Sequence, residues 1–259
     1  TSGGAGFTNA VIDFINIDGG NSLSTFTLAG IATGAVKIDA AAFGGNLLAT
    51  MGANDILDST VTIVGSEVST KDAVTAQYNT AATYTPKTTG VETANITLGA
   101  GATVIMSVEN MAGLTTASVT NSQADTLTID KMAAGQKAVV KDQADAGSIV
   151  EFKLADATGA SDTLSVEYNT GSALTDGAKL KVTDVETINL KVTTATALVL
   201  DSITHGTALK TVTLNLSGAA KFTVRDGAGI DDDLTVIDAS AMTGVLDLFD
   251  GDGAGLNAT

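Results

Sequence analysis

The chain has 259 residues, no cysteine and a formal net charge of −16. This acidic balance disfavours binding to nucleic acid or to a bare anionic membrane, because phosphate groups would be repelled. The lack of cysteine excludes a disulfide framework and cysteine-based zinc sites. No run of about 18 apolar residues occurs, so membrane insertion is not expected.

The composition predicts regularly stacked β-sheets. Hydrophobic residues make up 44% of the chain, but aromatic residues only 4%. The apolar mass of the chain is therefore alanine, valine, isoleucine and leucine, which suit thin, regularly stacked sheets. With a single proline and 28 glycines, we expect long uninterrupted ladders joined by glycine-containing turns.

In chain order, residues 1–70 are predicted to be the end of a preceding β module. "TVTIVG" at residues 60–65 alternates with period two, as a half-buried strand does. "AAAFGGNLLATMG" at residues 40–52 gives a weak helix signal, which its paired glycines interrupt. The first residues have no methionine and no signal-peptide pattern, and we expect the chain to be a segment of a longer protein.

Residues 71–158 and 159–259 are predicted to be two further β modules, because landmarks recur in both. "DAVTAQYNT" from Asp72 matches "DTLSVEYNT" from Asp162. Such a long period suits modules of several strands each, rather than a solenoid with one rung per repeat.

A second landmark supports the same division. After a short spacer, Val-Glu-Thr follows in both modules and opens a strand, with Glu92 in the first and Glu186 in the second. We expect exposed strand-start carboxylates here, with a ligand role as the alternative. Tyr78 and Tyr168 recur at matching positions, which predicts packing residues.

Period-two alternation dominates the whole chain, for example in "TLSVEY" at residues 163–168 and "TVTLNL" at residues 211–216. The predicted fold class is therefore all-β, with repeated multi-strand modules and Gly/Asp turns. The pattern leaves two arrangements open, a β-solenoid-like stack and a stack of β-sandwiches.

A candidate calcium site lies in "DGAGIDDDL", residues 226–234. The calcium-binding nonapeptide of RTX proteins has the pattern Gly-Gly-x-Gly-x-Asp-x-apolar-x, in which turn carbonyls and aspartates surround the ion. Here Asp226 replaces the first glycine, and Asp233 stands at the apolar position. The candidate ligands are Asp226, Asp231, Asp232 and Asp233.

Two more degenerate copies are present. "GANDILD" at residues 52–58 offers Asp55 and Asp58, and "FDGDGAGLNA" at residues 249–258 offers Asp250 and Asp252. For each copy the alternative is a solvated Asp-Gly turn. We expect at least one of the three copies to bind calcium (Ca2+).

Catalytic motifs are not recognisable, and we expect a protein that is not an enzyme. The single histidine, His205, has no partner cluster in the sequence and is predicted to lie in a surface turn. No nucleophile elbow, phosphate-binding loop or zinc-protease motif occurs.

The last hundred residues resemble the C-terminal assembly region of bacterial surface-layer (S-layer) proteins. The class meant is the acidic, cysteine-free one of Gram-negative bacteria, exported by type I secretion and related to RTX proteins. The matching landmarks are Asp162-Thr163-Leu164, Val185-Glu186-Thr187-Ile188-Asn189 and Ile237-Asp238-Ala239-Ser240-Ala241. Residues 71–130 match more loosely, and the first seventy residues match mainly in the general character of their sequence.

The resemblance implies a secreted, calcium-loaded β-rich protein that self-associates into a two-dimensional lattice on the outer cell surface. It also implies attachment to lipopolysaccharide through an anchoring region that is not recognisable in this sequence. Two other hypotheses stay open: the repeat stalk of a type I-secreted RTX adhesin, and the non-catalytic portion of an RTX hydrolase.

Overall fold

The computed structural model describes residues 14–31, 37–52, 54–143, 145, 147–170, 178–183, 185–193, 197–204, 212–224 and 234–248. Within these residues it contains strands and no helix, which confirms the all-β prediction. In chain order the strands are β1 (Phe14–Asn16), β2 (Thr25–Ile31), β3 (Lys37–Asp39), β4 (Asn46–Met51), β5 (Thr62–Val64), β6 (Ala73–Tyr78), β7 (Thr83–Tyr84), β8 (Lys87–Thr89), β9 (Thr93–Leu98), β10 (Val104–Ser107), β11 (Met111–Ala112), β12 (Thr116–Asn121), β13 (Thr126–Met132), β14 (Lys137–Asp142), β15 (Ile149–Leu154), β16 (Thr163–Tyr168), β17 (Lys179–Thr183), β18 (Thr187–Val192), β19 (Leu198–Leu200), β20 (Ser202–Thr204), β21 (Val212–Gly218), β22 (Phe222–Val224), β23 (Leu234–Met242) and β24 (Leu246–Leu248).

These strands stack as a β-solenoid of about nine turns. One wall is a ten-stranded sheet in the order β2-β4-β6-β9-β12-β14-β16-β18-β21-β23, and its strand pairs are parallel. Partners in adjacent strands lie from 20 residues apart, as Ala73 and Thr93 do, to 28 residues apart, as Lys137 and Ser165 do. Of the two predicted arrangements, the solenoid is therefore the one observed.

The repeat of about 90 residues corresponds to four rungs of this solenoid. β6 and β16, which carry the Tyr78 and Tyr168 landmarks, are separated in the ten-stranded sheet by β9, β12 and β14. The expectation that so long a period argues against single rungs was wrong. Rung lengths vary, so only the rungs with the most similar corners match in sequence.

The opposite side of the solenoid is divided among three smaller sheets. Their orders are β1-β3-β5-β8-β11, β7-β10-β13-β15-β17-β20 and β19-β22-β24. Between β6 and β12 each turn contributes a strand to three sheets, whereas the turn from β12 to β14 contributes only the longer β13. The cross-section therefore changes along the axis, while the ten-stranded wall continues.

The core consists of columns of aliphatic side chains that run along the axis. Alternation puts every second residue inside, and parallel register then stacks equivalent positions on one another. One such column contains Ala49, Val74, Ala94, Ala117, Ala138, Val166, Leu190 and Leu216, all of them buried. Small and β-branched side chains suit this arrangement because each must fit between neighbours about 4.8 Å apart.

Tyr78 and Tyr168 are both completely buried, as expected for packing residues. The Tyr78 hydroxyl donates to the Leu57 carbonyl at 2.6 Å, and the Tyr168 hydroxyl donates to Gln143 Oε1 at 3.0 Å. Each tyrosine thus fills the interior and also holds a corner of the preceding rung.

The weak helix signal at residues 40–52 corresponds to a turn followed by β4. Gly45 approaches the Ser24 carbonyl so closely that a Cβ atom would collide with it. The paired glycines therefore allow one rung to pass tightly over another, which a helix at this position would prevent.

The ten-stranded sheet crosses both predicted module boundaries. β4 pairs with β6 across residue 70, and β14 pairs with β16 across residue 158. The module limits stay a prediction from sequence, and the backbone ladder is continuous through both.

Candidate functional site

Asp55 lies in the corner between β4 and β5 and has a left-handed backbone, with φ of 63°. Its Oδ1 accepts hydrogen bonds from the Asn79 N–H at 2.7 Å, the Thr80 N–H at 3.2 Å and the Tyr84 hydroxyl at 2.9 Å. Its Oδ2 accepts from Thr80 Oγ1 at 2.8 Å. The carboxylate therefore joins its own rung to the next one.

The same contacts explain the charge state of this group. Burial opposes ionisation of Asp55, but the hydrogen bonds from Asn79, Thr80 and Tyr84 outweigh it and hold the pKa of Asp55 below its usual value. The carboxylate in turn acts on Tyr84: burial, together with the neighbouring negative charge of Asp55, raises the pKa of Tyr84 to about 12. Asp55 is thus ionised and Tyr84 protonated at neutral pH.

Asp58, the other candidate of this copy, makes a separate and purely local contact. Its Oδ1 accepts from both the backbone N–H and the hydroxyl of Thr60, each at 2.7 Å. This is the geometry of a side chain that stabilises its own turn. Asp55 and Asp58 thus occupy one corner, but each carboxylate is engaged by protein donors.

The remaining candidates, Asp226, Asp231, Asp232, Asp233, Asp250 and Asp252, lie outside the described residues, as does His205. In the parts that the structure does describe, no group of three or more His, Cys, Asp or Glu side chains is arranged to hold a metal ion. Calcium binding at the two C-terminal copies stays a prediction from sequence.

The two Val-Glu-Thr landmarks form identical contacts between rungs. Glu92 Oε2 accepts from the Asp72 backbone N–H, and Glu186 Oε2 accepts from the Asp162 backbone N–H, both at 2.8 Å. In return, the carbonyl of Asp72 accepts from the Glu92 N–H at 3.1 Å, and the carbonyl of Asp162 accepts from the Glu186 N–H at 3.1 Å. We call these two pairs, Asp72–Glu92 and Asp162–Glu186, the rung staples.

The first staple extends over three rungs. The Asp72 side chain is completely buried, and its two oxygens accept from the Leu47 N–H at 2.7 Å and the Ser66 N–H at 2.5 Å. Burial, together with the charge of Asp72, raises the pKa of Glu92. The expectation of simple exposed carboxylates at Glu92 and Glu186 missed this role, since their partners lie 20 and 24 residues away.

Two buried amides hold corners in the same manner. Asn121 Nδ2 donates to the carbonyls of Asp125 at 2.8 Å and Ile149 at 2.9 Å. Gln143 Nε2 donates to the carbonyls of Ser148 at 3.0 Å and Lys179 at 2.8 Å. Sequence reasoning did not identify either residue, although Asn121 could have been noticed as a polar residue at an inward-facing position of its strand.

A cavity of about 560 Å³ lies where the five-stranded sheet ends at β11. Its lining includes Met111, Leu114 and Lys131, the last with φ of 64°. Met111 donates its N–H to the Val108 carbonyl at 3.0 Å and accepts from the Leu114 N–H at 3.2 Å. The backbone of this edge strand is thus already paired locally, which disfavours addition of a further strand.

Among the residues that the structure describes, no helix is long and apolar enough to cross a membrane. In comparisons with known proteins, no family model matches the chain, and no curated protein or solved structure is significantly similar to it. Function must therefore be argued from the fold, the rung staples and the sequence.

Proposed function

We propose that this chain is a structural, non-enzymatic segment of a self-assembling bacterial surface layer. In this proposal it is secreted and forms a calcium-dependent two-dimensional lattice on the outer cell surface. The observation that carries the proposal is the uninterrupted ten-stranded parallel sheet, which stacks similar rungs along one axis. The resemblance of the last hundred residues to S-layer assembly regions points in the same direction.

The solenoid suits a lattice component for a physical reason. Each rung contacts mainly its neighbours, so the chain forms an elongated body with long, regular side walls. Regular walls present similar chemical groups at successive rungs. A lattice needs contacts that every copy can make in the same way. The rung staples and buried corner amides favour a stiff body, which preserves the spacing of such contacts.

Calcium enters the proposal through the C-terminal copies of the nonapeptide. The carboxylates of Asp55 and Asp58 already accept hydrogen bonds from the protein, and an ion would have to displace those donors. Asp226, Asp231, Asp232 and Asp233, together with Asp250 and Asp252, are therefore the preferred ligands. A net charge of −16 also means that approaching copies repel one another unless cations intervene.

The second candidate function is the repeat stalk of a type I-secreted adhesin. The same uninterrupted ladder favours it, since a stiff solenoid spaces a distant binding tip from the cell. The two functions differ in assembly: a lattice component forms sheets, whereas a stalk stays an isolated rod. For the lattice component, anchoring to lipopolysaccharide is assigned to a region not recognisable in this sequence.

Negative-stain electron microscopy of the purified chain tests the proposal. Samples at increasing protein concentration are imaged in millimolar calcium, in magnesium as the matched divalent control, and in excess EDTA. We expect ordered sheets in calcium that disperse in EDTA. Unassociated single particles under all three conditions support the stalk instead, and sheets that form equally well in EDTA contradict the role of calcium.

A further inference from the structure

The outer surface of the ten-stranded sheet is chemically divided along its length. Strands β2, β4, β6, β9 and β12 carry only uncharged residues at their outward positions, and more than half of these are threonine. They are Thr25, Thr27, Ala29, Asn46, Leu48, Thr50, Ala73, Thr75, Gln77, Thr93, Asn95, Thr97, Thr116, Ser118 and Thr120. Of these, Ser118 is buried, and the others are at least partly exposed. We call this set the uncharged face.

The rest of the sheet carries charges on most of its strands, although β21 has uncharged Thr213, Asn215 and Ser217 at its outward positions. Beginning at β14, the outward positions include Lys137, Lys141, Glu167 and Lys191. Lys137 and Glu167 form an ion pair across two adjacent strands. Solvated sheet surfaces commonly carry such charges, which discourage association with other proteins. The uncharged face has none of them, in a chain with 29 acidic and 13 basic residues.

The other walls of the solenoid do not share this property. The five-stranded sheet exposes Lys37 and Lys87, and the six-stranded sheet carries Glu151, Lys153 and Lys181, which form ion pairs with one another. The three-stranded sheet carries Asp247, which pairs with Lys221. Among the described sheet surfaces, the uncharged face is therefore the one on which two copies can approach without opposing like charges.

We propose that the uncharged face binds the uncharged face of a second copy of this chain. This inference deepens the assembly proposed above by naming its contact surface, and it rests on that proposal. Since both partners use the same patch, the contact has two-fold symmetry. Threonine suits it because its methyl group loses contact with water while its hydroxyl still finds a partner across the contact.

The size of the face sets the strength of the contact. Five strands about 4.8 Å apart and about 20 Å long give a footprint of about 500 Å² on each copy. A standard stable interface covers about 800 Å² on each partner. A single contact is therefore weak. Because a two-fold contact joins only two copies, an array also requires at least one other contact surface on each copy.

Variants that introduce charges test the inference. Thr75→Glu combined with Thr116→Glu places two carboxylates on the uncharged face, on strands that are not adjacent. Thr62→Glu combined with Thr89→Glu makes the same charge change on the five-stranded sheet and is the matched control. We expect the first pair to raise the concentration at half-association at least about ten-fold, because like charges would face each other across the contact. The control pair should leave it within about two-fold.

A crosslinking measurement gives a readout that does not depend on the stability of those variants. The chain has no cysteine, so Thr75→Cys introduces a single thiol near the centre of the uncharged face. Thr89→Cys provides the same thiol on the five-stranded sheet. Face-to-face sheets lie about 10 Å apart, and a bismaleimide of that span should give covalent dimers with the first variant and not with the second.

The possible results separate this inference from the function on which it rests. If wild-type protein assembles but Thr75→Cys gives no dimer, the uncharged face is not the contact and the assembly proposal stands. The same conclusion follows if both glutamate pairs assemble like the wild type. If wild-type protein does not associate at any concentration or calcium level, both proposals fail. Glycan binding that Thr75→Glu with Thr116→Glu abolishes, without dimer formation, would assign the face to carbohydrate.

Discussion

The carboxylate of Glu92 accepts the backbone N–H of Asp72 at 2.8 Å across two adjacent rungs, and the Asp72 carboxylate continues the connection to Leu47. Glu186 and Asp162 repeat the first of these contacts four rungs along the same sheet. The repeated Asp and Val-Glu-Thr of the sequence therefore mark a hydrogen-bonded contact that recurs between rungs.

Removing the acceptor of this staple should destabilise the fold. Glu92→Ala leaves the partly buried N–H of Asp72 without its partner, and an unpaired buried donor costs about 1–3 kcal/mol. Glu92→Gln keeps an acceptor oxygen and should cost less than half as much. Urea denaturation at pH 7 measures both free energies of unfolding, with Glu109→Ala, at an exposed position, as the control. Equal stability of Glu92→Ala and Glu109→Ala would show that the staple contributes nothing.

Asp55 should make stability depend on pH in acid. Its pKa is lowered in the folded state from the ordinary value of 3.8. Its stabilisation is therefore fully present above pH 3.8 and decreases as the pH falls through the lower folded value. Asp55→Asn should cost about 1–3 kcal/mol at pH 7, because the amide has one acceptor oxygen in place of two.

The difference between wild type and Asp55→Asn should shrink below about pH 4. Unfolding by urea at pH 7, 5, 4 and 3 measures it. Asp18→Asn is the matched control, since Asp18 lies at an exposed position. A difference that stays constant down to pH 3 would mean that the hydrogen bonds to Asp55 do not govern its ionisation.

The fold class was predictable because strand alternation is a local signal. Residues such as those of β9 alternate between threonine or asparagine outside and aliphatic residues inside, and a single strand is enough to show it. The length of a rung was not predictable, because corner loops differ and adjacent partners lie between 20 and 28 residues apart. Only staples four rungs apart were similar enough to be noticed.

The candidate site was less predictable for a different reason. The aspartate-glycine pattern that suggested calcium at Asp55 describes only nearby residues. The groups that occupy its carboxylate, Asn79, Thr80 and Tyr84, lie 24 to 29 residues away. Solenoid stacking determines which donors reach that carboxylate, and a short motif carries no information about the next rung.

The buried amide of Asn121 should be important for stability although it is far from any candidate ligand. Asn121→Leu preserves the approximate volume but removes the donors to the carbonyls of Asp125 and Ile149. The Asp125 carbonyl keeps the hydrogen bond from the Ile149 N–H at 3.0 Å, so the loss of the two amide hydrogen bonds predicts a cost of about 1–3 kcal/mol. Asn95→Leu, on the outer side of the neighbouring strand, is the matched control and should change stability by less than about 1 kcal/mol. Thermal and urea unfolding measure the stability of both variants. Equal losses of stability in Asn121→Leu and Asn95→Leu would contradict the importance of the buried amide.

Calcium should stabilise the chain through its C-terminal copies and not through Asp55. A ligand that binds only the folded state at a hundred times its Kd adds about 2.7 kcal/mol, so saturating calcium should raise the Tm and EDTA should reverse the change. Combining Asp226→Asn with Asp231→Asn should abolish most of this response, because neutral amides bind calcium less strongly than carboxylates do. Asp55→Asn should lower the Tm in EDTA and leave the calcium-dependent increase intact, since the carboxylate of Asp55 already accepts four hydrogen bonds from protein donors.

Isothermal titration calorimetry of the wild type, the Asp226→Asn/Asp231→Asn variant and Asp55→Asn separates calcium binding from its effect on stability. A Tm of wild-type protein that is identical in calcium and in EDTA would remove calcium from the proposed assembly, and loss of the response in Asp55→Asn alone would place the ion at the first copy instead.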